Sequence, residues 1–170
     1  MNLERRYEAD RIAARVGEVA LALDRAFRDR PLLLISILKG SSFFLADLAR
    51  KLALPAACEF ISVLREEGAN EIVQIVFSTG FSLDGRPVLL LKDVVHTGVI
   101  ENYLMDHLRS SGAASVGLAA IIDKPALRKT AVSVDFPLFT AEGGVFVGYG
   151  MDHRGLYAHL PHIAEVIAEQ

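Results

Sequence analysis

One short stretch of the chain places an ammonium, a carboxylate, an imidazole and a hydroxyl group next to a small residue. Lys92 and Asp93 come first, two apolar residues follow, and then comes His96-Thr97-Gly98. Ligands of open α/β sheets bind beyond the carboxyl ends of the strands, and a turn with small residues lets backbone N–H groups face a phosphate. The stretch therefore predicts an anion-binding site.

The elements on either side of this stretch follow from the spacing of apolar residues. Residues 87–91 are too continuously apolar for a half-exposed strand, so they predict a buried central strand of a parallel sheet. After Gly98, apolar residues recur at helical spacing as far as Leu108, and Gly112 ends the helix. The chemistry is therefore expected where a buried strand gives way to a helix.

Three other turns combine small and polar residues in the same way. They are residues 39–41 (Lys-Gly-Ser), residues 123–125 (Asp-Lys-Pro) and residues 148–152 (Gly-Tyr-Gly-Met-Asp), and each follows a predicted strand. A serine in such a turn can simply cap a helix, and a lysine at a strand end is usually a solvated charge. The residue types alone leave these alternatives open.

The rest of the chain gives weaker patterns. Apolar residues three or four apart predict an amphipathic helix over residues 3–28. Alternating residues predict an antiparallel strand pair, residues 59–64 and 72–77, with a short connection at residues 66–70. A length of 170 residues is ordinary for one domain with a sizeable core, so a single domain over residues 1–170 is predicted.

The region around residues 90–100 resembles the motif by which phosphoribosyltransferases bind phosphoribosyl pyrophosphate (PRPP). That motif has two acidic residues, two apolar residues and then Asp-Thr/Ser-Gly-x-Thr, and Asp93, Thr97 and Gly98 match it. The turns at residues 38–41, 122–125 and 146–152 match the hypoxanthine/guanine branch of the family in order and spacing. The resemblance extends over nearly all of the chain from Pro31 to Pro161.

The resemblance implies a fold and a reaction. The fold is α/β, a mostly parallel sheet flanked by helices as in type I phosphoribosyltransferases, with a small hood built from segments around residues 131–146 and the carboxyl tail. The reaction is transfer of ribose 5-phosphate from PRPP to hypoxanthine or guanine, which gives IMP or GMP and releases pyrophosphate. Relatives are commonly homodimers or homotetramers.

On the PRPP side, the resemblance implies roles for the turns after the second and the central strand. Main-chain groups of Lys39 and Gly40 would hold pyrophosphate, and the peptide before this lysine is often cis in the family. The phosphate would bind Thr97, Gly98 and Val99. An arginine at position 128 lies where the family has a basic residue near pyrophosphate, although an exposed charge is an equal alternative.

On the purine side, the lysine at position 124 would donate to the exocyclic oxygen of a 6-oxopurine. Val145 holds the place of an aromatic residue that stacks on the base, and Phe146 follows it; since side chains alternate along a strand, Phe146 can instead face the core. Asp93 and Asp152 are the candidate ligands of Mg²⁺, which would neutralise the leaving group. The imidazole of His96, together with Asp93, is the candidate catalytic group.

Several positions depart from the family pattern, and they gather in one site. Lys92 replaces the first acid, His96 the third, Ile100 the last hydroxyl residue, and Ala158 an arginine that contacts pyrophosphate. The family's mobile loop, with its Ser-Tyr pair, is shortened here, and residues 62–64 (Ser-Val-Leu) lack the tyrosine. A lid this short is expected to close poorly.

Two main functions follow from these departures. One is a purine-salvage phosphoribosyltransferase with weakened catalysis. The other is a catalytically impaired purine-nucleotide sensor or regulator on the same fold. A third alternative, an RNA-binding regulator like those of pyrimidine operons, is disfavoured by the acidic balance of the chain.

The composition limits the partners and the compartment. Hydrophobic residues make up 52% of the chain and charged residues 23%, the formal net charge is -3, and no run of basic residues suggests a nucleic-acid partner. A charged amino terminus predicts no signal peptide, and no apolar stretch approaches the roughly 20 residues of a membrane span. The single cysteine, Cys58, excludes an internal disulfide, so a cytoplasmic protein is predicted.

Overall fold

The computed structural model describes residues 2–28, 30–64, 74–77, 82–83 and 85–167. In chain order the elements are β1 (Asn2–Tyr7), α1 (Ala9–Ala26), β2 (Leu32–Ile37), α2 (Ser42–Ala49), β3 (Ala56–Leu64), β4 (Gln74–Phe77), β5 (Pro87–Val95), α3 (Val99–Ser110), β6 (Ser115–Asp123), a 3-10 turn (Pro125–Leu127), β7 (Phe136–Thr140), β8 (Phe146–Val147) and β9 (Ile163–Ile167). Among these helices, none combines the length and the apolar character needed to span a membrane.

The larger sheet has the strand order β4-β3-β2-β5-β6-β7. Its strands run parallel except β4, which pairs antiparallel with β3. The predicted central strand is confirmed, since β5 lies between β2 and β6 and the side chains of residues 89–91 are fully buried. The carboxyl ends of β2, β5 and β6 therefore meet at one edge of the sheet, which brings their polar turns together.

Helices cover both faces of this sheet because buried residues alternate along its strands. Leu89 and Leu91 of β5 pack into one core with the apolar faces of α1 and α2. Leu90, between them, packs into a second core with α3. A fully buried leucine contributes roughly 1.5–3 kcal/mol, so the strand that carries the site is firmly held between two cores.

The predicted hood is present and contains the carboxyl tail as β9, but its other strands differ from the prediction. It is a second, antiparallel sheet of order β1-β9-β8, in which β1 pairs with β9 along the two ends of the chain. Residues 3–7 are therefore strand and not the start of the amphipathic helix, which runs only over Ala9–Ala26. Likewise, β7 lies beside β6 in the main sheet and not in the hood. The strand β1 is fixed by a partner at the other end of the chain, and β7 by its parallel pairing with β6, and local spacing reveals neither pairing.

The predicted antiparallel pair is present in β3 and β4, with Ile61 opposite Phe77 and Leu64 opposite Gln74. The connection at residues 66–70, on which the prediction of a short lid depends, lies outside the described residues. Of the segment that replaces the family's Ser-Tyr pair, Val63 reaches the cavity described next.

Candidate active site

The turn after β2, the end of β5 and the turn after β8 meet at Gly40. A Cβ atom added at Gly40 would overlap the carboxylate of Asp93, at the end of β5. A Cβ atom added at Gly150, after β8 of the hood, would overlap the carbonyl oxygen of Gly40. These three segments are thus in direct contact, and only glycine fits at residue 40.

A cavity of about 700 Å³ opens beside this junction, within the usual size range of small-molecule sites. Seven of the predicted site residues line it: Asp93, His96, Thr97, Lys124, Val145, Phe146 and Asp152. The other predicted site residues lie outside its described wall: Lys39, Gly40, Gly98, Val99 and Arg128. The cavity therefore joins the purine side and the phosphate side of the predicted site.

The turn before α3 has the geometry of an anion site. Gly98 has φ 78°, which favours glycine, and a Cβ atom there would come within 2.6 Å of Thr130 Oγ1. The helix begins at Val99, and the Asn102 N–H donates to the Gly98 carbonyl at 2.8 Å. N–H groups of the first turn of a helix have no intrahelical acceptor, and the helix dipole adds positive potential there.

The turn after β2 has the cis peptide that the resemblance implies, between Leu38 and Lys39. Its serine does not cap α2. Ser41 is fully buried, and its Oγ lies 2.8 Å from the carbonyl oxygen of Ile37 and 3.0 Å from that of Leu91, which share its single hydroxyl proton. The hydroxyl thus ties the turn to the central strand β5, which argues against the simple capping alternative.

The side chain of Arg128 is held against the turn before α3 and is not a free surface charge. Its Nη1 donates to the His96 carbonyl at 2.9 Å, and its Nη2 forms an ion pair with Asp123. These two side chains are only 12% and 13% exposed. Asp123 had no predicted role, although it stands immediately before Lys124 in the sequence.

The first two charged residues of the motif form an ion pair inside the cavity. The Lys92 ammonium binds Asp93 Oδ1, and the same oxygen accepts the Val94 N–H at 2.8 Å. The two side chains are 18% and 25% exposed. Lys92 is therefore not a solvated charge at the end of a strand.

A third charged group of this cluster, Glu101, had no predicted role. It lies in the first turn of α3, is 4% exposed and lines the cavity. Burial raises the pKa of Glu101, as does the charge of Asp93, whereas a hydrogen bond from its own backbone N–H and the charges of Lys92 and Arg128 lower it. Since glutamate is ordinary in the first turn of a helix, the sequence offers no signal that this carboxyl group is buried.

His96 stands at the cavity wall with its imidazole partly exposed. Partial burial lowers its pKa below the ordinary 6.5, and the charges of Lys124, Lys92 and Arg128 act in the same direction against Asp93. The imidazole is therefore mainly neutral at neutral pH. A neutral imidazole can accept a proton, as a general base must.

Lys124 is 2% exposed, so it is not a solvated charge at a strand end. Its ammonium donates to the Gly144 carbonyl and lies 5.2 Å from the centroid of the Phe146 ring. Burial lowers the pKa of Lys124, and the charge of Glu165 opposes this. A buried cation in the cavity wall is a strong hydrogen-bond donor for a ligand.

The two residues predicted to stack on the base face in different directions. Phe146 is 7% exposed and belongs to a core cluster, as the alternation of the strand allowed, whereas Val145 is 51% exposed. Both residues border the cavity. The aromatic ring at the cavity is therefore that of Phe146, one residue after Val145, which holds the stacking position of the family.

The predicted metal ligands are not part of a ready-made metal site. Asp152 is exposed in the cavity wall, and its Oδ1 accepts the Gly155 N–H at 2.8 Å. No group of three or more His, Cys, Asp or Glu residues that could hold a metal occurs within the described ranges. Ala158, in the place of the family's arginine, accepts the Gly150 N–H at 3.0 Å through its carbonyl.

Comparisons with known proteins agree with this geometry. The family model of the phosphoribosyl transferase domain matches residues 4–154. A hypoxanthine-guanine phosphoribosyltransferase of Staphylococcus epidermidis is 32% identical over 155 residues, which cover 89% of this chain and 87% of that protein.

Solved structures agree in the same way. A hypoxanthine phosphoribosyltransferase from Staphylococcus aureus superposes with a TM-score of 0.89 at 26% identity, over 96% of this chain and 91% of that one. The enzyme of Trypanosoma cruzi superposes with a TM-score of 0.87 at 29% identity, over 98% and 97% of the two chains.

Proposed function

The chain belongs to the phosphoribosyltransferase family, in its hypoxanthine/guanine branch, and from this we propose that it transfers ribose 5-phosphate from PRPP to hypoxanthine or guanine. The products are IMP or GMP and pyrophosphate. One observation carries the proposal: a buried lysine, Lys124, and a helix amino terminus suited to phosphate border the same cavity. The two groups have the chemistry needed for the two ends of a purine nucleotide.

At the purine end, the buried ammonium of Lys124 donates a hydrogen bond to the oxygen of a 6-oxopurine. Adenine carries an amino group at that position, which would place donor against donor, so the site favours hypoxanthine and guanine. The ring of Phe146 beside the ammonium supports this arrangement, because it fixes Lys124 from the core side.

At the phosphate end, backbone N–H groups of the turn at residues 97–99 take the 5-phosphate. Pyrophosphate lies near Lys39 and Gly40, with Arg128 holding the turn through the His96 carbonyl. The proposal is supported by the packing of Gly40 on Asp93, which places these two turns side by side.

His96 serves as the general base. It accepts the proton that leaves the purine as the bond from N9 to C1′ forms and the bond from C1′ to the pyrophosphate oxygen breaks. General acid–base catalysis of this kind typically contributes about 10² to 10⁴ in rate. The lowered pKa of His96 supports this role, because the imidazole is then unprotonated at neutral pH.

Mg²⁺ is the proposed cofactor, and when bound it would neutralise the charge that develops on pyrophosphate. Asp152 fits the role of a protein ligand because it is exposed in the cavity wall. Asp93 fits it less well, since one of its oxygens already binds Lys92 and the Val94 N–H.

A second function, a nucleotide sensor with little turnover, is favoured by one specific group of residues. On the PRPP side, Lys92 stands in place of an acid, Ala158 stands in place of an arginine, and Glu101 adds a buried carboxyl group. The purine side keeps Lys124. Turnover that is slow but present is consistent with both the altered PRPP side and the retained purine side of the cavity.

We also propose a cytoplasmic homodimer or homotetramer. The single cysteine supports the compartment. Val99 and Tyr103 support self-association, because these residues lie one helical turn apart on α3 and are 50% and 53% exposed.

Calorimetric titration with IMP, GMP and AMP tests the binding site that both functions share. IMP and GMP are expected to bind at least about ten-fold more tightly than AMP, as one lost charged hydrogen bond implies. Equal affinity for the three nucleotides would contradict the assignment of Lys124.

A further inference from the structure

The cavity wall carries charged groups of both signs. Its described part contains the cations Lys92 and Lys124 and the carboxylates Asp93, Glu101 and Asp152. Lys92 binds Asp93 directly, and its charge also acts on Glu101. One cation of the wall is thus already engaged with a carboxylate of the wall.

The two unusual residues of this cluster are both buried. Glu101 is 4% exposed, and a carboxylate this deeply buried is costly unless a cation or hydrogen bonds compensate it. Lys92 is itself only 18% exposed, and its direct contact with Asp93 compensates its charge. The ammonium at position 92 is therefore held in the wall by Asp93, and its charge also favours the ionised form of Glu101.

This arrangement changes what the cavity requires of its ligand. With an acidic residue at position 92, the wall would carry one cation and four carboxylates, and a phosphorylated ligand would need a metal ion to enter. With Lys92 it carries two cations and three carboxylates, one of which is already paired. A metal ion at Asp93 would also have to displace the ammonium from Oδ1.

We propose that Lys92 is a built-in cation, which lets the cavity bind the pyrophosphate group of its ligand without a divalent metal ion. Lys92 supplies at Asp93 the positive charge that a bound metal would supply. The inference rests on the proposed function for the place of pyrophosphate in the cavity, but not for turnover. Metal ions are left with the exposed Asp152, and Asp93 does not act as a metal ligand in the unmodified protein.

Inorganic pyrophosphate is the probe that tests this inference. Its affinity is measured by calorimetry with excess EDTA and with excess Mg²⁺, for the unmodified protein and for Lys92→Met, Lys92→Glu, Lys92→Arg and Lys51→Met. Lys51 is exposed and lies outside the cavity wall, so Lys51→Met is the matched control for loss of one positive charge.

The unmodified protein, Lys92→Arg and Lys51→Met are expected to bind pyrophosphate in EDTA, with affinities within about ten-fold of those in Mg²⁺. Lys92→Met is expected to lose at least about ten-fold in EDTA, as the loss of a charged donor implies. Lys92→Glu should bind only in Mg²⁺ and should also gain a Mn²⁺ site, seen by electron paramagnetic resonance, that the unmodified protein lacks.

The titration of the unmodified protein shows whether pyrophosphate binds without a divalent metal ion, even if a variant does not fold. Binding that requires Mg²⁺, or absence of binding in both buffers, would overturn the inference. Lys92→Met binding as tightly as the unmodified protein in EDTA would overturn it as well. Failure of the proposed function is seen separately, as loss of purine discrimination and of nucleotide formation, neither of which enters this titration.

Discussion

The carboxylate of Asp93 packs directly against the Cα atom of Gly40, so that the ends of β5 and β2 meet without space for a side chain. This contact joins the turn that carries the cis peptide to the strand that carries the charged pair. The relative position of the turn after β2 and the end of β5 is therefore set by a glycine.

Gly40→Ala tests this relationship. The added methyl group would overlap Asp93, and overpacking of this kind typically costs about 1 to 3 kcal/mol of unfolding free energy. Pyrophosphate affinity should fall with it, because Asp93 and the turn after β2 must separate. Urea denaturation and calorimetry measure the two effects.

Gly17→Ala is the matched control. Gly17 lies within α1 and a Cβ atom there meets nothing within 4 Å, so alanine should raise the unfolding free energy by about 0.5 to 1 kcal/mol. If Gly40→Ala were as stable as Gly17→Ala and bound pyrophosphate normally, the packing account would be wrong.

Lys124→Met should weaken IMP and GMP binding by roughly ten- to a hundred-fold. The change removes a charged donor to the purine oxygen, and loss of such a bond typically costs about 1.5 to 3 kcal/mol. It also leaves the Gly144 carbonyl without the ammonium. Calorimetry measures the loss, and Lys51→Met, which removes an exposed lysine, should bind as the unmodified protein does. Unchanged affinity in Lys124→Met would remove the lysine from the purine site.

His96→Ala should lower turnover by about 10² or more and leave nucleotide affinity nearly unchanged, because a base acts chiefly in the transition state. His159→Ala, at an exposed histidine outside the cavity wall, is the control. Equal turnover in the two variants would show that His96 is not the base.

The pH profile gives a second test of His96. Its pKa is lowered below 6.5, first by partial burial and then by Lys124 and Lys92. A base must be unprotonated, so activity should be at its plateau at neutral pH and fall only as pH drops below 6.5 towards the lowered pKa. A fall that begins above 6.5 would assign the base to another group.

Glu101→Gln should raise the unfolding free energy at neutral pH. The pKa of Glu101 is raised by burial above the ordinary 4.5, so the folded protein binds this proton more tightly than the unfolded chain. Its contribution to stability is therefore most favourable below 4.5 and is lost as pH rises through the raised folded pKa. Glutamine removes the charge and with it this loss. Chemical denaturation at neutral pH measures the gain, and a less stable Glu101→Gln would show that pairing with Lys92 outweighs burial.

Much of the fold could be predicted because its strongest signals are local. The continuous apolar run at residues 89–91 identified the central strand, and helical spacing from Val99 identified α3. The N-terminal strand β1 could not be predicted, since its partner among the described strands is β9, at the other end of the chain. Pairing over such a distance leaves no trace in the local pattern of apolar residues.

The site residues that lie in recognisable motifs could be predicted, whereas those whose role depends on burial could not. Lys124 and His96 stand in recognisable turns, and both line the cavity. Glu101 and Asp123 were not singled out, because their importance comes from burial beside Lys92 and Arg128. Such contacts join residues from different elements, and the residue types alone do not distinguish them from surface charges.

Nucleotide formation by the unmodified protein tests most directly whether it is an active hypoxanthine/guanine phosphoribosyltransferase. Purified protein is incubated with PRPP, Mg²⁺ and hypoxanthine, guanine or adenine, and the nucleotides are separated and quantified over time. IMP and GMP are expected to form at least about a hundred-fold faster than AMP, because the Lys124 donor faces the position at which the bases differ. Tight binding of IMP and GMP without formation of either would contradict the enzyme and leave the sensor as the function of this cavity.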